Sequence, residues 1–376
     1  MNASTGSRKE IRSLTGLRGL AAVWVMVLHT EFVEKPWNLP RVVVDHGYLA
    51  VDLFLVLSGY VMALNYGRSF QNGIAWPVVL GFLRRRFART YPLYFVMTCI
   101  IFALNYWHAL IVWPAKGQVC NSSTLIPNLL LVQSWATHFC SLDPPSWSIS
   151  AEWGAYLLFP LLCGVFLFGS KTRLLASAIL AFSVLVVLGM LPTAWLAEPG
   201  YRFGPLNISN TVTIAPALRC LAEFAIGLTI YRVSQSELVT RTAARGWPSL
   251  VVGGSILVLL CVRGGDVAIV LLFGVLILTL TSDKGILAAA LGCTAVYFLG
   301  EISYSIYMIH YPIFMMTQET LARLPHAYRE YAIDLTVWIS TMVLSTATYF
   351  VIERPARRLL SWAQPWPLRL RPWVGN

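Results

Sequence analysis

Charged residues are scarce in this sequence. Asp, Glu, Lys and Arg make up 12% of its 376 residues, whereas hydrophobic residues make up 57%. The mean hydropathy of +0.65 lies well above the range of soluble globular domains. The composition excludes an ordinary soluble domain and predicts a polytopic, all-α membrane protein in contact with the lipid bilayer.

Cysteine patterns typical of metal sites are also missing. The seven cysteines include no CxxC pair and no Cys/His spacing that would hold a metal ion, so no metal is expected. Cys120 and Cys140 share one polar loop, and they can form a disulfide if that loop faces an oxidising compartment.

Leader peptides, internal repeats and low-complexity tracts are absent from the sequence as well. No short apolar run with a small-residue cleavage site follows Met1, so we expect the N-terminus to be retained. We interpret residues 1–376 as one membrane domain with a short cytoplasmic segment, 1–12, and a basic cytoplasmic tail, 353–376.

Ten apolar segments predict membrane helices. They are 13–32, 47–66, 91–112, 148–168, a fifth ending near 191, 211–231, 247–262, 267–281, 287–316 and 331–352. With the N-terminus inside, most Lys and Arg residues fall on the cytoplasmic face, so the positive-inside rule places both termini in the cytoplasm. The same rule explains the net charge of +11 without nucleic acid, and we expect a multi-pass protein of the cell inner (plasma) membrane.

The first apolar segment contains a charged residue and a histidine. Arg18 and His29 are about three turns apart on a helix, roughly 16 Å along its axis, and on nearly the same face. Ionisable groups inside a membrane usually face a bundle interior or a wet cavity. Alternatively, Arg18 reaches the interface and His29 is an interior histidine with satisfied hydrogen bonds.

Three further charged residues lie inside apolar segments. We expect Asp52 to pair with Arg18 or His29, with a structural role favoured over a chemical one. Arg219 and Glu223 have the i, i+4 spacing of an ion pair on one helix face, and we interpret them as a buried pair.

Six segments, in order along the chain, carry a family resemblance. They are TGLRGLAAVWVMVLHT (15–30), VDLFLVLSGYVM (51–62), RRRFARTYPLY (84–94), PSWSISAEWGAYLLFP (145–160), SYSIYMIHYPIF (303–314) and ERP (353–355). Together they resemble the acyltransferase-3 family of integral membrane O-acyltransferases. Thr15 stands where family members commonly have Asp.

The resemblance implies acetyl-CoA as the acyl donor and a histidine as base or nucleophile. His29 is the best-placed candidate, because histidine exchanges protons near neutral pH. Arg18 lies at a distance from His29 comparable to the donor's long arm, so it can sit nearer the phosphates. Arg85 and Arg89, one helical turn apart, are further candidate phosphate partners. Alternatively, the positive-inside rule alone explains their charge.

Three other residues have candidate roles within these segments. Glu152 enters the membrane on the outer side, where it can orient or ionise a histidine, bind an acceptor hydroxyl, or form a structural ion pair. His310 is either a packed histidine or a catalytic or acceptor-binding one. Ser58 is a supporting residue beside Asp52.

The sequence therefore predicts an O-acyltransferase that moves an acetyl group from acetyl-CoA to a sugar hydroxyl of an envelope glycan or exported polysaccharide. A proton-coupled secondary transporter is the alternative, because intramembrane Asp, Glu, Arg and His also build proton pathways. Many transporters show an internal repeat that relates their halves, and this chain shows none.

Overall fold

The computed structural model describes residues 10–30, 41–106, 118–196, 204–208, 210–262 and 264–361. Within these ranges the regular elements are helices, which confirms the all-α prediction. They are α1 (Arg12–Thr30), α2 (Arg41–Asp45), α3 (Leu49–Tyr66), α4 (Trp76–Tyr106), α5 (Leu125–Leu129), α6 (Trp147–Leu162), α7 (Lys171–Met190), α8 (Thr193–Leu196), α9 (Ala215–Ser234), α10 (Glu237–Ala243), α11 (Trp247–Leu260), α12 (Asp266–Leu280), α13 (Ile286–Leu291), α14 (Thr294–Glu301), α15 (Ser303–Thr320), α16 (His326–Thr348) and α17 (Arg354–Ser361).

Six helical segments are long and apolar enough to cross a membrane, and counting the bent pair α10 and α11 as one span gives seven. Helices also occupy the other expected spans, but α12 has only 15 residues, and α9 and α15 are less apolar. The chain is therefore a polytopic membrane protein. Ten spans and cytoplasmic termini stay predictions, and most of segment 1–12 and of tail 353–376 lies outside the described residues.

Two predicted helix boundaries are wrong. The third helix was expected to begin at Tyr91, but α4 begins at Trp76 and carries the basic cluster inside its 31 residues. Arg and Leu are good helix formers, so the helix continues through the cluster. The low hydropathy of the cluster had predicted a helix boundary there. The expected helix 287–316 is divided into α13, α14 and α15, with breaks near Gly292 and Ile302.

The backbone of α1 lies in close contact with the segment that contains these two breaks. A Cβ atom at Gly16 would overlap the Leu291 carbonyl, and one at Gly300 would overlap the Thr15 carbonyl. Glycine allows helices in a membrane to approach this closely. The first helix is thereby fixed against the start of α15, which carries His310.

The centre of the bundle is formed by α1, α3, α9 and α15. Most of the segment containing α3 is buried, whereas α7 and α16 are largely exposed at the periphery. Gly59 of α3 and Gly227 of α9 bring these two helices into backbone contact.

The segment 118–146 folds into a compact cover over α4 and α6, which we call the outer loop. Cys120 and Cys140 form the disulfide that the sequence allowed, with Cα atoms 5.5 Å apart. Asn128 is 1% exposed, and its amide donates to the carbonyls of Thr124 and Cys140, both at 2.9 Å. Tyr94 of α4 donates to the Asn128 carbonyl at 2.8 Å, which attaches the loop to the bundle.

Candidate active site

Two connected cavities lie between the central helices. The first, about 500 Å³, is lined by polar residues including Glu10, Asn65 and Arg68; we call it the vestibule. It lies at the start of α1 and the end of α3, on the face predicted to be cytoplasmic. The second, about 120 Å³, lies deeper and is called the inner cavity. Arg18 and Arg89 line both cavities and so mark their junction.

Arg18 is fixed to the break between α14 and α15. Its Nη2 donates to the Gly300 carbonyl at 3.0 Å, and its Nε donates to Ser303 Oγ at 3.1 Å. The carbonyl end of a helix carries partial negative charge, which favours a cation at this position. Arg18 lines both cavities, which fits the first of the two alternatives that the sequence left open.

The basic cluster contributes two arginines to the inner cavity, Arg86 and Arg89. Arg86 donates from Nη2 to the Tyr66 hydroxyl at 2.7 Å. Arg85, predicted as a phosphate partner, lies over the Tyr66 ring at 5.2 Å and lines neither cavity. Arg86 was not singled out from the sequence, because Arg85 and Arg86 are both about one helical turn from Arg89 and the packing of α4 selects between them. Inside α4, positions 86 and 89 share one face.

Glu152 also lines the inner cavity, together with Tyr156 and Ser58. The Ser58 and Tyr156 hydroxyls form a hydrogen bond of 3.2 Å. Glu152 thus shares the inner cavity with Arg86 and Arg89. Neither His29 nor His310 lines this cavity, so the structure gives no support to the alternative in which Glu152 orients a histidine.

His29 and His310 form a pair that the sequence did not predict. Their rings are 5.2 Å apart between centroids, and His310 Nε2 is 3.2 Å from His29 Nδ1. His310 is completely buried, and His29 is half-buried. Neither of them lines either cavity.

Backbone contacts determine the tautomers of both rings. Nδ1 of His310 lies 3.0 Å from the Ile306 carbonyl, and Nδ1 of His29 lies 2.9 Å from the Val25 carbonyl. A carbonyl oxygen only accepts, so each Nδ1 carries a proton when the rings are neutral. The single proton on His29 Nδ1 is then shared between the Val25 carbonyl and His310 Nε2, and the lone pair of His29 is on its Nε2.

The expected partners of Asp52 are wrong. Asp52 is fully buried and accepts from Nε of Arg219 at 3.1 Å and from its Nη2. Arg219 also bonds Glu223 at 3.2 Å, which confirms the predicted i, i+4 pair. Asp52 thus belongs to a structural triad between α3 and α9, and it pairs with neither Arg18 nor His29.

Comparison with known proteins identifies the family. A model of the acyltransferase domain matches residues 11–354. The chain belongs to the acyltransferase-3 family. Membership makes it an acyltransferase, and it supports the enzyme over the transporter. No group of three or more His, Cys, Asp or Glu side chains lies close enough to hold a metal in the described ranges.

Curated relatives of this acyltransferase include three named enzymes. The acyltransferase MdmB of Streptomyces mycarofaciens is 28% identical over 94% of this chain and 93% of its own length. The peptidoglycan O-acetyltransferase OatA of Listeria monocytogenes is 24% identical over 94% of this chain. The putative peptidoglycan O-acetyltransferase YrhL of Bacillus subtilis is 26% identical over 95% of it. This chain spans only 56% of each of the last two. No solved structure matches it.

Proposed function

We propose that this acyltransferase moves an acetyl group from acetyl-CoA to a hydroxyl of a sugar in an envelope glycan or exported polysaccharide. Two of the relatives are named for O-acetylation of peptidoglycan, which supports a carbohydrate acceptor. With both termini in the cytoplasm and the protein in the inner membrane, the vestibule opens towards the compartment that contains acetyl-CoA.

The arginine pair at the cavity junction, which forms no direct ion pair with a described carboxylate, carries this proposal. Within the described ranges, no carboxylate lies within 4.0 Å of the guanidinium groups of Arg18 or Arg89. Two like charges facing shared cavities favour an anionic ligand, and arginine matches the geometry of phosphate. Acetyl-CoA supplies several phosphates beside a long uncharged arm.

The two cavities suit the two parts of that donor. The polar vestibule has room for the nucleotide, and Arg18 and Arg89 meet the phosphates at the junction. The arm then enters the inner cavity, where Glu152 can accept hydrogen bonds from its amide N–H groups. Arg86 is the third basic side chain available here, and Arg85 is outside.

The histidine pair supplies the base. His310 accepts from His29 Nδ1–H and so holds the His29 ring with its Nε2 lone pair available. That lone pair takes the proton of the acceptor hydroxyl as its oxygen attacks the thioester carbonyl. The carbon–sulfur bond breaks, the proton passes to the leaving sulfur, and the products are an acetyl ester and free CoA.

Transfer can be tested directly with purified protein in detergent. Acetyl-CoA labelled in its acetyl group is incubated with a panel of glycan acceptors, and the label is followed by mass spectrometry. We expect the label as an ester on a sugar with the wild-type protein and not with His29→Ala. A folded protein that binds CoA but labels no sugar of the panel would contradict the proposed acceptor class.

A further inference from the structure

We infer that Tyr307 is a partition residue that separates the acetyl thioester from the His29–His310 pair until acceptor is bound. This inference rests on the proposed function. It assigns a positioning role to a side chain between the two parts of the site.

The location of Tyr307 is the first observation. Tyr307 lines the inner cavity, whereas His310, one turn further along α15, does not. Residues three apart on a helix share a face, and the Tyr307 and His310 ring centroids are 6.0 Å apart. The Tyr307 ring therefore stands between the inner cavity and the buried histidine.

The hydrogen bonds of Tyr307 hold this ring in place. Its hydroxyl donates to the Pro145 carbonyl at 2.8 Å and lies 2.7 Å from Ser148 Oγ. Ser148 Oγ also lies 3.2 Å from the Pro145 carbonyl, so the two hydroxyls and this carbonyl form one hydrogen-bonded cluster. Phe54 packs edge-on against the same ring at 5.9 Å.

The anchor of Tyr307 belongs to the segment that joins the outer loop to α6. Pro145 and Ser148 follow Asp143, whose two carboxylate oxygens are buried without a hydrogen bond. A buried polar group without a partner is costly. Asp143 therefore destabilises the arrangement in which Tyr307 is anchored, and a rearrangement of this segment would relieve that cost. An acceptor that binds at the outer loop can therefore act on the Tyr307 anchor.

A partition of this kind prevents a wasteful reaction. If the thioester met His29 before the acceptor arrived, water would be the available nucleophile. His29 would take a proton from water, the oxygen would attack the acetyl carbon, and acetate and free CoA would form. A closed Tyr307 suppresses this hydrolysis and keeps the acetyl group for the sugar.

Tyr307→Phe tests the partition, because it keeps the ring and removes both hydroxyl contacts. We expect acetyl-CoA hydrolysis without acceptor to rise about tenfold, with an unchanged KM for acetyl-CoA. Adding His29→Ala should abolish the extra hydrolysis. Tyr91→Phe is the matched control, since it also loses a hydroxyl bond to a loop carbonyl, Leu129, at 3.0 Å but lines neither cavity.

Ser148→Ala weakens the same anchor from the other side and keeps the test valid if Tyr307→Phe is unstable. Wild-type hydrolysis in a folded Tyr307→Phe or Ser148→Ala protein would overturn the partition, as would an equal rise in Tyr91→Phe. Failure of the proposed function has a different signature, which is a folded wild-type protein that binds CoA but labels no sugar.

Discussion

The buried triad of Asp52, Arg219 and Glu223 gives a quantitative prediction about stability. All three side chains are at most 1% exposed, and two carboxyl groups share one arginine. Asp52 accepts two bonds from the guanidinium, whereas Glu223 accepts one and leaves Oε2 without a partner. One carboxylate balances the charge of Arg219, and Asp52 has the more complete pairing with it, so we predict that Glu223 holds a proton.

Each single substitution should be tolerated because the other carboxyl group can compensate. Glu223→Gln replaces a neutral group by a neutral one and should cost at most about 1 kcal/mol. Asp52→Asn should cost about 1–1.5 kcal/mol, because Glu223 can ionise and pair with Arg219. The double variant leaves a buried guanidinium without an anion, which costs about 3–5 kcal/mol.

Thermal unfolding in detergent measures these differences. For a chain of this size, the double variant should lose on the order of 5 °C in Tm, and the two single losses should sum to clearly less. If the double variant loses no more in Tm than the two single variants together, the shared-charge account is refuted. Equal losses for Asp52→Asn and Glu223→Gln would refute the assignment of the proton to Glu223.

Three further outcomes follow from the structure. Arg89→Ala should raise the KM for acetyl-CoA about tenfold or more, whereas Arg85→Ala, outside both cavities, should leave it near the wild-type value. Burial raises the pKa of Asp143 well above its ordinary range. The carboxyl group therefore destabilises the fold increasingly as pH rises above about 4, where it ionises in the unfolded chain. In urea titrations, the free energy of unfolding gained by Asp143→Asn should grow from about pH 4 to about pH 8. Reduction of the Cys120–Cys140 disulfide should cost about 3 kcal/mol in the chain-entropy model, measured as a lower Tm with reductant.

Periodicity and charge predicted much of the framework. Apolar segments located the main helices, and the i, i+4 spacing predicted the Arg219–Glu223 pair, because both depend on local geometry. The high cost of a charge in a membrane limited Arg18 to a cavity or the membrane interface, and did not choose between them. These features are determined within one helix.

The contacts between helices could not be predicted from the sequence. Asp52 and Arg219 are 167 positions apart, and His29 and His310 are 281 apart, so their pairing depends on how the bundle packs. The breaks between α13, α14 and α15 depend in the same way on the approach of α1. The choice between Arg85 and Arg86 also depends on packing, because helical periodicity places both about one turn from Arg89.

The central claim is that His29 is the base for acetyl transfer, and the most direct test is turnover of His29→Gln. Glutamine keeps a polar group of similar reach but does not exchange protons at neutral pH. His46→Gln is the matched control, because His46 Nδ1 also bonds a carbonyl four residues earlier, that of Val42 at 2.6 Å. Its ring stacks on Tyr48, 5.9 Å away between centroids, outside the His29–His310 pair.

Acetyl transfer to the sugar should be measured per folded molecule, with Tm checked for each variant. We predict that His29→Gln loses about 10²-fold or more in turnover, the scale for loss of an acid–base group, and that His46→Gln keeps most of it. If His29→Gln retains more than about half of wild-type turnover, His29 is a structural residue, and this result would contradict the proposed mechanism.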